Sequence, residues 1–224
     1  MVALFLTCAV LCSDADNISD REDLYKKAMQ AGFDKNGKGD APVAQAEFGL
    51  ALALAENASD AVRARNQIGF ILKNQKRFHE ARLLFRISLD TREADAGSKA
   101  EAQYLLAHSW IDEGIWDEAY NAWEKLAAMP GLWPCARSEA RMIAGAGLIA
   151  KKKYKEARKL LSECITAGDG MDWHKWEAWL SIAKSYRAEY RNAEAKAAIQ
   201  SLMEMKGVDE GRKKQASEFL ESLK

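Results

Sequence analysis

Apolar residues return at helical spacing along most of the chain, and the spacing resets at short polar turns. Gln103, Leu106, Ala107 and Trp110 form one stripe, Trp116, Ala119, Tyr120, Trp123 and Leu126 form a second, and Glu113, Gly114 and Ile115 separate them. Residues three and four apart share one side of an α-helix, so the pattern predicts two amphipathic helices folded into a hairpin. The pattern then repeats at an interval of 38 residues: Gly69, Ala107, Gly145 and Ala183; Leu72, Trp110, Leu148 and Tyr186; Phe78, Trp116, Tyr154 and Asn192. Three further columns keep step, namely Glu80, Glu118, Glu156 and Glu194; Ala81, Ala119, Ala157 and Ala195; and Phe85, Trp123, Leu161 and Ile199. A single globular core has no reason to hold such a register over four copies without an insertion, whereas a solenoid does. The Gly or Ala column predicts where two helix backbones cross closely. The glutamate column predicts the first turn of each second helix, where a carboxylate meets exposed N–H groups and the macrodipole. Pro130, Gly131 and Pro134, and then Gly168, Asp169 and Gly170, break the chain between blocks.

The flanks predict degenerate ends of the same array. Residues 20–31, with Leu24, Ala28 and Ala31 on one face, and residues 42–56, with an apolar run over 48–55, form a first hairpin joined by a longer loop at 34–40. That loop carries Asp34, Asn36 and Gly39 as a calcium loop would, but Lys38 stands in a ligand place and Gln45 where a bidentate Glu is required, which excludes a metal there. Residues 209–224 place Ala216, Phe219, Leu220 and Leu223 on one face and predict the cap that closes a solenoid's exposed core. The expected organisation is therefore a signal segment at 1–15, a degenerate hairpin at 18–60, four repeats over 61–206 and a C-terminal capping helix at 207–224.

Composition agrees with an all-α chain: three prolines in 224 residues, and 33 basic against 33 acidic side chains. The balanced charge removes the electrostatic footprint of nucleic-acid binding. Lysines 151, 152, 153 and 155 fall in a hairpin turn, where solvated lysine is the rule. Residues 1–12 are almost wholly apolar and end at Ser13, Asp14, Ala15 and Asp16, as a secretory segment too short to span a bilayer does, although no basic residue precedes the run. Removal of that segment takes Cys8 and Cys12 with it and leaves no membrane span. Cys135 and Cys164 remain, at the same end of one hairpin: either they form a disulfide in an oxidising compartment or they pack as two small thiols.

Leu106, Ala107, Trp110, Trp116, Ala119 and Trp123, then Ala144, Gly145, Leu148, Tyr154, Ala157 and Leu161, then Trp179, Ile182, Ala183, Tyr186, Ala195 and Ile199 resemble the tetratricopeptide repeat over residues 62 to 206. The interval exceeds that family's usual length of roughly 34, and Asn192 replaces an aromatic. Longer repeats with a Pro-containing junction are similar to the bacterial envelope members, the outer-membrane assembly lipoproteins and Tol-associated division coordinators, with residues 100–165 most alike. The resemblance implies a right-handed α-solenoid of about five hairpins, no cofactor, and a concave groove for a protein or peptide partner in the periplasm or envelope.

By the same resemblance the groove residues are Asn66, Phe70 and Lys73; Tyr104, His108 and Asp112; Met142; and Leu180, Lys184 and Arg187. Such a surface suits a partner segment with apolar anchors and flanking carboxylates. Catalysis has little support, with three histidines, no Gly-rich phosphate loop, no nucleophile motif and no metal-ligand spacing. Of the seven tryptophans, Trp110, Trp116, Trp123 and Trp179 occupy core columns, while Trp133, Trp173 and Trp176 lie at junctions. These three either staple neighbouring repeats or form an aromatic contact for a partner. Two functions fit: an exported interaction scaffold, or a structural module that assembles with copies of itself.

Overall fold

The computed structural model describes residues 18–168 and 170–223. The signal segment with Cys8, Cys12, Ser13 and Ala15, and the junction residue Asp169, lie outside the described residues. Among those described the backbone forms eleven α-helices and no strand: α1 (Ile18–Gly37), α2 (Ala41–Leu54), α3 (Ala58–Asn74), α4 (Phe78–Asp90), α5 (Ala96–Glu113), α6 (Trp116–Ala127), α7 (Pro134–Ala150), α8 (Tyr154–Thr166), α9 (Asp172–Ala188), α10 (Asn192–Met203) and α11 (Glu210–Glu221). Two compact units divide the chain inside α5, at Ser109 and Trp110. In the first, α1 packs on α2, α2 on α3 and α3 on α4. In the second, α6 packs on α7, α7 on α8 and α9, α8 on α9, α9 on α10, and α10 on α11. Each unit is thus a run of helix pairs stacked in chain order, and the fold is an all-α helical-repeat solenoid.

The repeat is enforced at the turns. Lys76, Gly114, Lys152 and Tyr190, 38 residues apart, all adopt the left-handed conformation with φ of 62, 82, 59 and 60°. At each turn the next residue's N–H, on Arg77, Ile115, Lys153 and Arg191, reaches back to the carbonyl of Leu72, Trp110, Leu148 and Tyr186 at 2.8–2.9 Å. This Schellman closure satisfies carbonyls that a helix end would otherwise expose. Glycine makes the conformation without strain at 114, whereas Lys and Tyr incur a Cβ clash of about 1–2 kcal/mol.

The first helix pair uses the same closure. Gly39 has φ of 78°, and the Asp40 N–H donates to the Lys35 carbonyl at 2.9 Å. Helix α1 therefore runs on to Gly37, and the loop expected over 34–40 is a helix end and a short turn; Asp40 then caps α2 through the Val43 N–H. Gly32, Ala44 and Phe48 stand 37 residues before Gly69, Ala81 and Phe85, so the loss of one residue hides this pair from a search at 38.

Within a pair, the large residue of the second helix plugs the gap left by the small residue of the first. A Cβ added at Gly32 would lie 2.5 Å from Phe48 Cε1, one at Gly69 2.5 Å from Phe85 Cε1, and one at Gly145 2.6 Å from Leu161 Cγ. Phe48, Phe85 and Leu161 are fully buried as a result. The glutamate column gains a second role beyond the helix dipole: Arg77, Lys153 and Arg191 at the preceding N-caps pair with Glu80, Glu156 and Glu194.

At the end of the second unit, Ala216, Phe219 and Leu223 join the buried cluster of Trp176, Leu180, Ile182, Ile199 and Leu202, so α11 covers the last pair. Cys135 and Cys164 are not joined by a disulfide, which corrects the disulfide alternative. Cys164 is buried and its thiol donates to the Ser138 carbonyl at 3.4 Å, so the sulfur is turned onto α7 backbone. Trp116, expected in the core, is 53% exposed, because its column sits where α6 begins and the buried positions, Ala119 and Trp123 among them, lie one and two turns further on.

Candidate functional site

In the first unit, α3 and α5 face each other through a polar ladder. Asn66, fully buried, donates from Nδ2 to the Ser98 carbonyl at 3.0 Å and to Glu101 Oε2 at 3.1 Å. Gln67 Nε2 donates to Glu101 Oε1 at 3.0 Å. At the open end, Arg63 bridges Asp60 and Asp95 at 3.4 and 3.2 Å. Asp95 caps α5 through the Ser98 N–H at 2.8 Å and takes its own N–H to Ser59 Oγ; the Ser98 N–H first, and then the Ser59 side chain, hold its carboxyl below the usual range. Burial pushes the Glu101 carboxyl above its ordinary value, against the opposing pull of the Asn66 amide.

One helical turn beyond this ladder, α3 presents Phe70 and Lys73 and α5 presents Tyr104 and His108, all half-buried. The Lys73 ammonium lies 5.5 Å from the Phe70 ring centre, and Tyr104 meets His108 edge to face at 4.4 Å. Apolar, aromatic and cationic groups thus share one stretch of surface on consecutive first helices. Asn66 belongs to the helix–helix contact beneath it, which corrects its expected place among partner-facing residues: Ser98 and Glu101 already take its amide protons.

The second unit carries the remaining expected positions. Met142 packs half-buried against the core cluster, and Leu180 is 1% exposed, so Leu180 is a core residue rather than a contact, in one buried cluster with residues of α8, α10 and α11. Lys184 is exposed on α9, and Asp112 is exposed on the last turn of α5. Arg187 is exposed but committed to the cap: its guanidinium lies 4.6 Å from the Phe219 ring centre and donates to Ser222 Oγ at 3.1 Å. Trp176 is 2% exposed and part of the buried core cluster, so it is not an exposed aromatic contact. Trp173 is half-buried and stacks on His174 at 3.8 Å, while Trp133 is 41% exposed at the start of α7.

Two features escaped the sequence reading. Arg158 is half-buried, lies 4.3 Å from the Tyr186 ring centre and donates to Glu189 and Ser185, tying α8 to α9. Glu101 was legible in principle, since Glu101, Glu139 and Glu177 stand in one column at the same interval of 38.

No protein-family model matches the chain, and no curated protein does. Solved structures match over nearly all of it. The MamA protein aligns with a TM-score of 0.61 at 17% identity, covering 88% of this chain and 96% of that one. YrrB, a TPR protein with an unusual peptide-binding site, aligns with a TM-score of 0.61 at 15% identity over 85% of this chain and 90% of its own. The fold is a tetratricopeptide-type solenoid. PilF of Pseudomonas aeruginosa shares it with a TM-score of 0.61 at 14% identity, over 91% of this chain and 90% of that one. At these identities the likeness concerns the solenoid alone. Among the described residues no helix is long and apolar enough to cross a membrane.

Proposed function

We propose that this chain is an exported protein–protein interaction scaffold that holds a segment of a partner protein against its first helices. The carrying observation is the α3/α5 face of the first unit, where Phe70, Lys73, Tyr104 and His108 stand half-exposed beside a buried polar ladder. A surface kept only for solubility has no need of two aromatic rings and an imidazole on one strip, whereas aromatic anchors are what binding surfaces use. A similar solenoid, YrrB, is described as having a peptide-binding site, which supports the same use of the fold here. The test places a photo-crosslinking amino acid at positions 70 and 104, and at Lys196 on the outer side of α10 as control, in cells making the full chain. The scaffold reading expects one partner adduct from 70 and 104 and none from 196; equal labelling from all three refutes it. Fusing residues 1–20 to a reporter enzyme active only outside the cytoplasm tests export, and a silent reporter refutes it.

A second reading, assembly with copies of itself, draws support from Leu83 and Ile87, one turn apart on α4 and 54% and 43% exposed. Light scattering over a wide concentration range decides it, since a constant monomer mass removes self-assembly.

A further inference from the structure

The partner-binding reading leaves one group on the α3/α5 face unexplained. Glu101 is a half-buried carboxylate whose two oxygens are taken by neutral amides, Oε1 by Gln67 and Oε2 by Asn66. Among the described residues no Lys, Arg or His nitrogen is in ion-pair contact with it: Arg63 makes its contacts with Asp60 and Asp95 and acts on Glu101 only through its longer-range charge. Beneath it Asn66 Oδ1 is buried and receives no hydrogen bond, so the ladder has more acceptors than donors. Desolvating a carboxylate without a cation in contact costs stability, and a fold seeking only stability would place a Gln or an apolar residue here. The two amides fix the carboxylate's place by one hydrogen bond to each oxygen, and each oxygen keeps a lone pair for a further donor. Tyr104 follows one turn later on α5 and Phe70 one turn later on α3, rings whose faces attract a cation.

We infer that Glu101 is the receptor for a basic side chain, a lysine or arginine, of the partner segment that lies on the α3/α5 face. This rests on the scaffold reading and specifies one position of the partner: a cation at Glu101, with an apolar residue about one turn away against Phe70 and Tyr104. The charge balance is then completed on binding, by the ligand rather than by the chain itself. Discrimination follows from the same geometry, because a partner carrying an acidic or apolar residue at that place leaves the carboxylate desolvated and unpaired.

The experiment is selection of peptides from a random ten-residue display library on the full chain and on Glu101→Gln, an isosteric change whose folding is checked by circular dichroism. Wild type is expected to enrich sequences with Lys or Arg at one fixed position, and Glu101→Gln to retain the apolar preference while losing the basic one. A selected peptide is then titrated beside its Lys-to-norleucine analogue: wild type should prefer the lysine form at least tenfold, and Glu101→Gln should bind the two alike. Enrichment without a basic position, or a lysine preference that survives Glu101→Gln, overturns the inference and leaves the scaffold reading standing. Failure of the wild-type chain to enrich any peptide overturns both. Should Glu101→Gln unfold, Gln67→Leu, which removes one orienting amide, is expected to lower the lysine preference, and an unchanged preference overturns the inference.

Discussion

Gly69→Ala and Gly49→Ala are the same chemical change in two neighbouring helices, and they are expected to move stability in opposite directions. In a helix interior the change stabilises by about 0.8–1 kcal/mol, because glycine loses more backbone freedom on folding. At Gly49 the new methyl meets nothing within 4 Å, so the helix gain is realised. At Gly69 the methyl would stand 2.5 Å from Phe85 Cε1 and 2.9 Å from Cζ, whereas carbons sit comfortably at about 3.5–4.0 Å. The ring must retreat by about 1 Å, and it is fully buried, so it must move into the packed interior. Overpacking of that kind costs about 1–3 kcal/mol, which outweighs the helix gain and leaves Gly69→Ala destabilised by about 1 kcal/mol. Urea titration followed by far-ultraviolet circular dichroism measures both. A cycle with Phe85→Ile isolates the cause, since the chain itself sets Ile199 against Ala183 in one core cluster. In that background Gly69→Ala should be neutral or stabilising, a coupling of about 1–2 kcal/mol. Gly69→Ala with a urea midpoint at or above wild type would refute the plug-and-gap account of the repeat.

The left-handed turn residues give a second test: Tyr190→Gly, at a 93% exposed position with φ of 60°, should stabilise by about 0.5–1 kcal/mol, while Gly114→Ala should destabilise by about 1 kcal/mol, both read from thermal or urea unfolding. Tyr25, buried with its hydroxyl donating to the Asp60 carbonyl at 3.3 Å, has its phenol pushed up to about 12, chiefly by burial. The folded protein keeps that proton when the unfolded chain has begun to lose it, so stability falls as pH rises from about 10 to 12; Tyr25→Phe should flatten the fall, and an unchanged slope would count against it. Asp95→Ala removes the cap on the Ser98 N–H and should cost about 1 kcal/mol at pH 7. Because the Asp95 carboxyl is held below its ordinary 3.8, that difference should vanish as pH drops through its lowered pKa. Alkylation of the unfolded, unreduced protein followed by mass measurement should modify both Cys135 and Cys164, as expected for unbridged thiols.

Much of the fold was legible because its determinants are local and periodic. Helical spacing of apolar residues, the small residue at each crossing and the turn at each hairpin depend on neighbours within one repeat, so the same letters recur wherever the same job recurs. The first pair was read as degenerate because its Gly32 and Phe48 fall one residue out of step, although their packing matches that of Gly69 and Phe85. The candidate site was less legible. Phe70, Lys73, Tyr104 and His108 are half-buried, but Asn66 and Leu180, in one column, are fully buried, and Arg187 is taken by the cap.

The sequence by itself determined that this protein is a chain of helix pairs and where each pair turns, since periodicity and left-handed closures are properties of short segments. Only the tertiary structure decided which polar side chains are spent inside and which face outward. Asn66 is buried because Ser98 and Glu101, more than thirty residues away, accept its amide protons, and Glu101 has no cation in contact because Arg63 makes its contacts with Asp60 and Asp95. Burial of a polar group depends on what the facing helix offers it, and that partner is chosen by packing rather than by spacing along the chain.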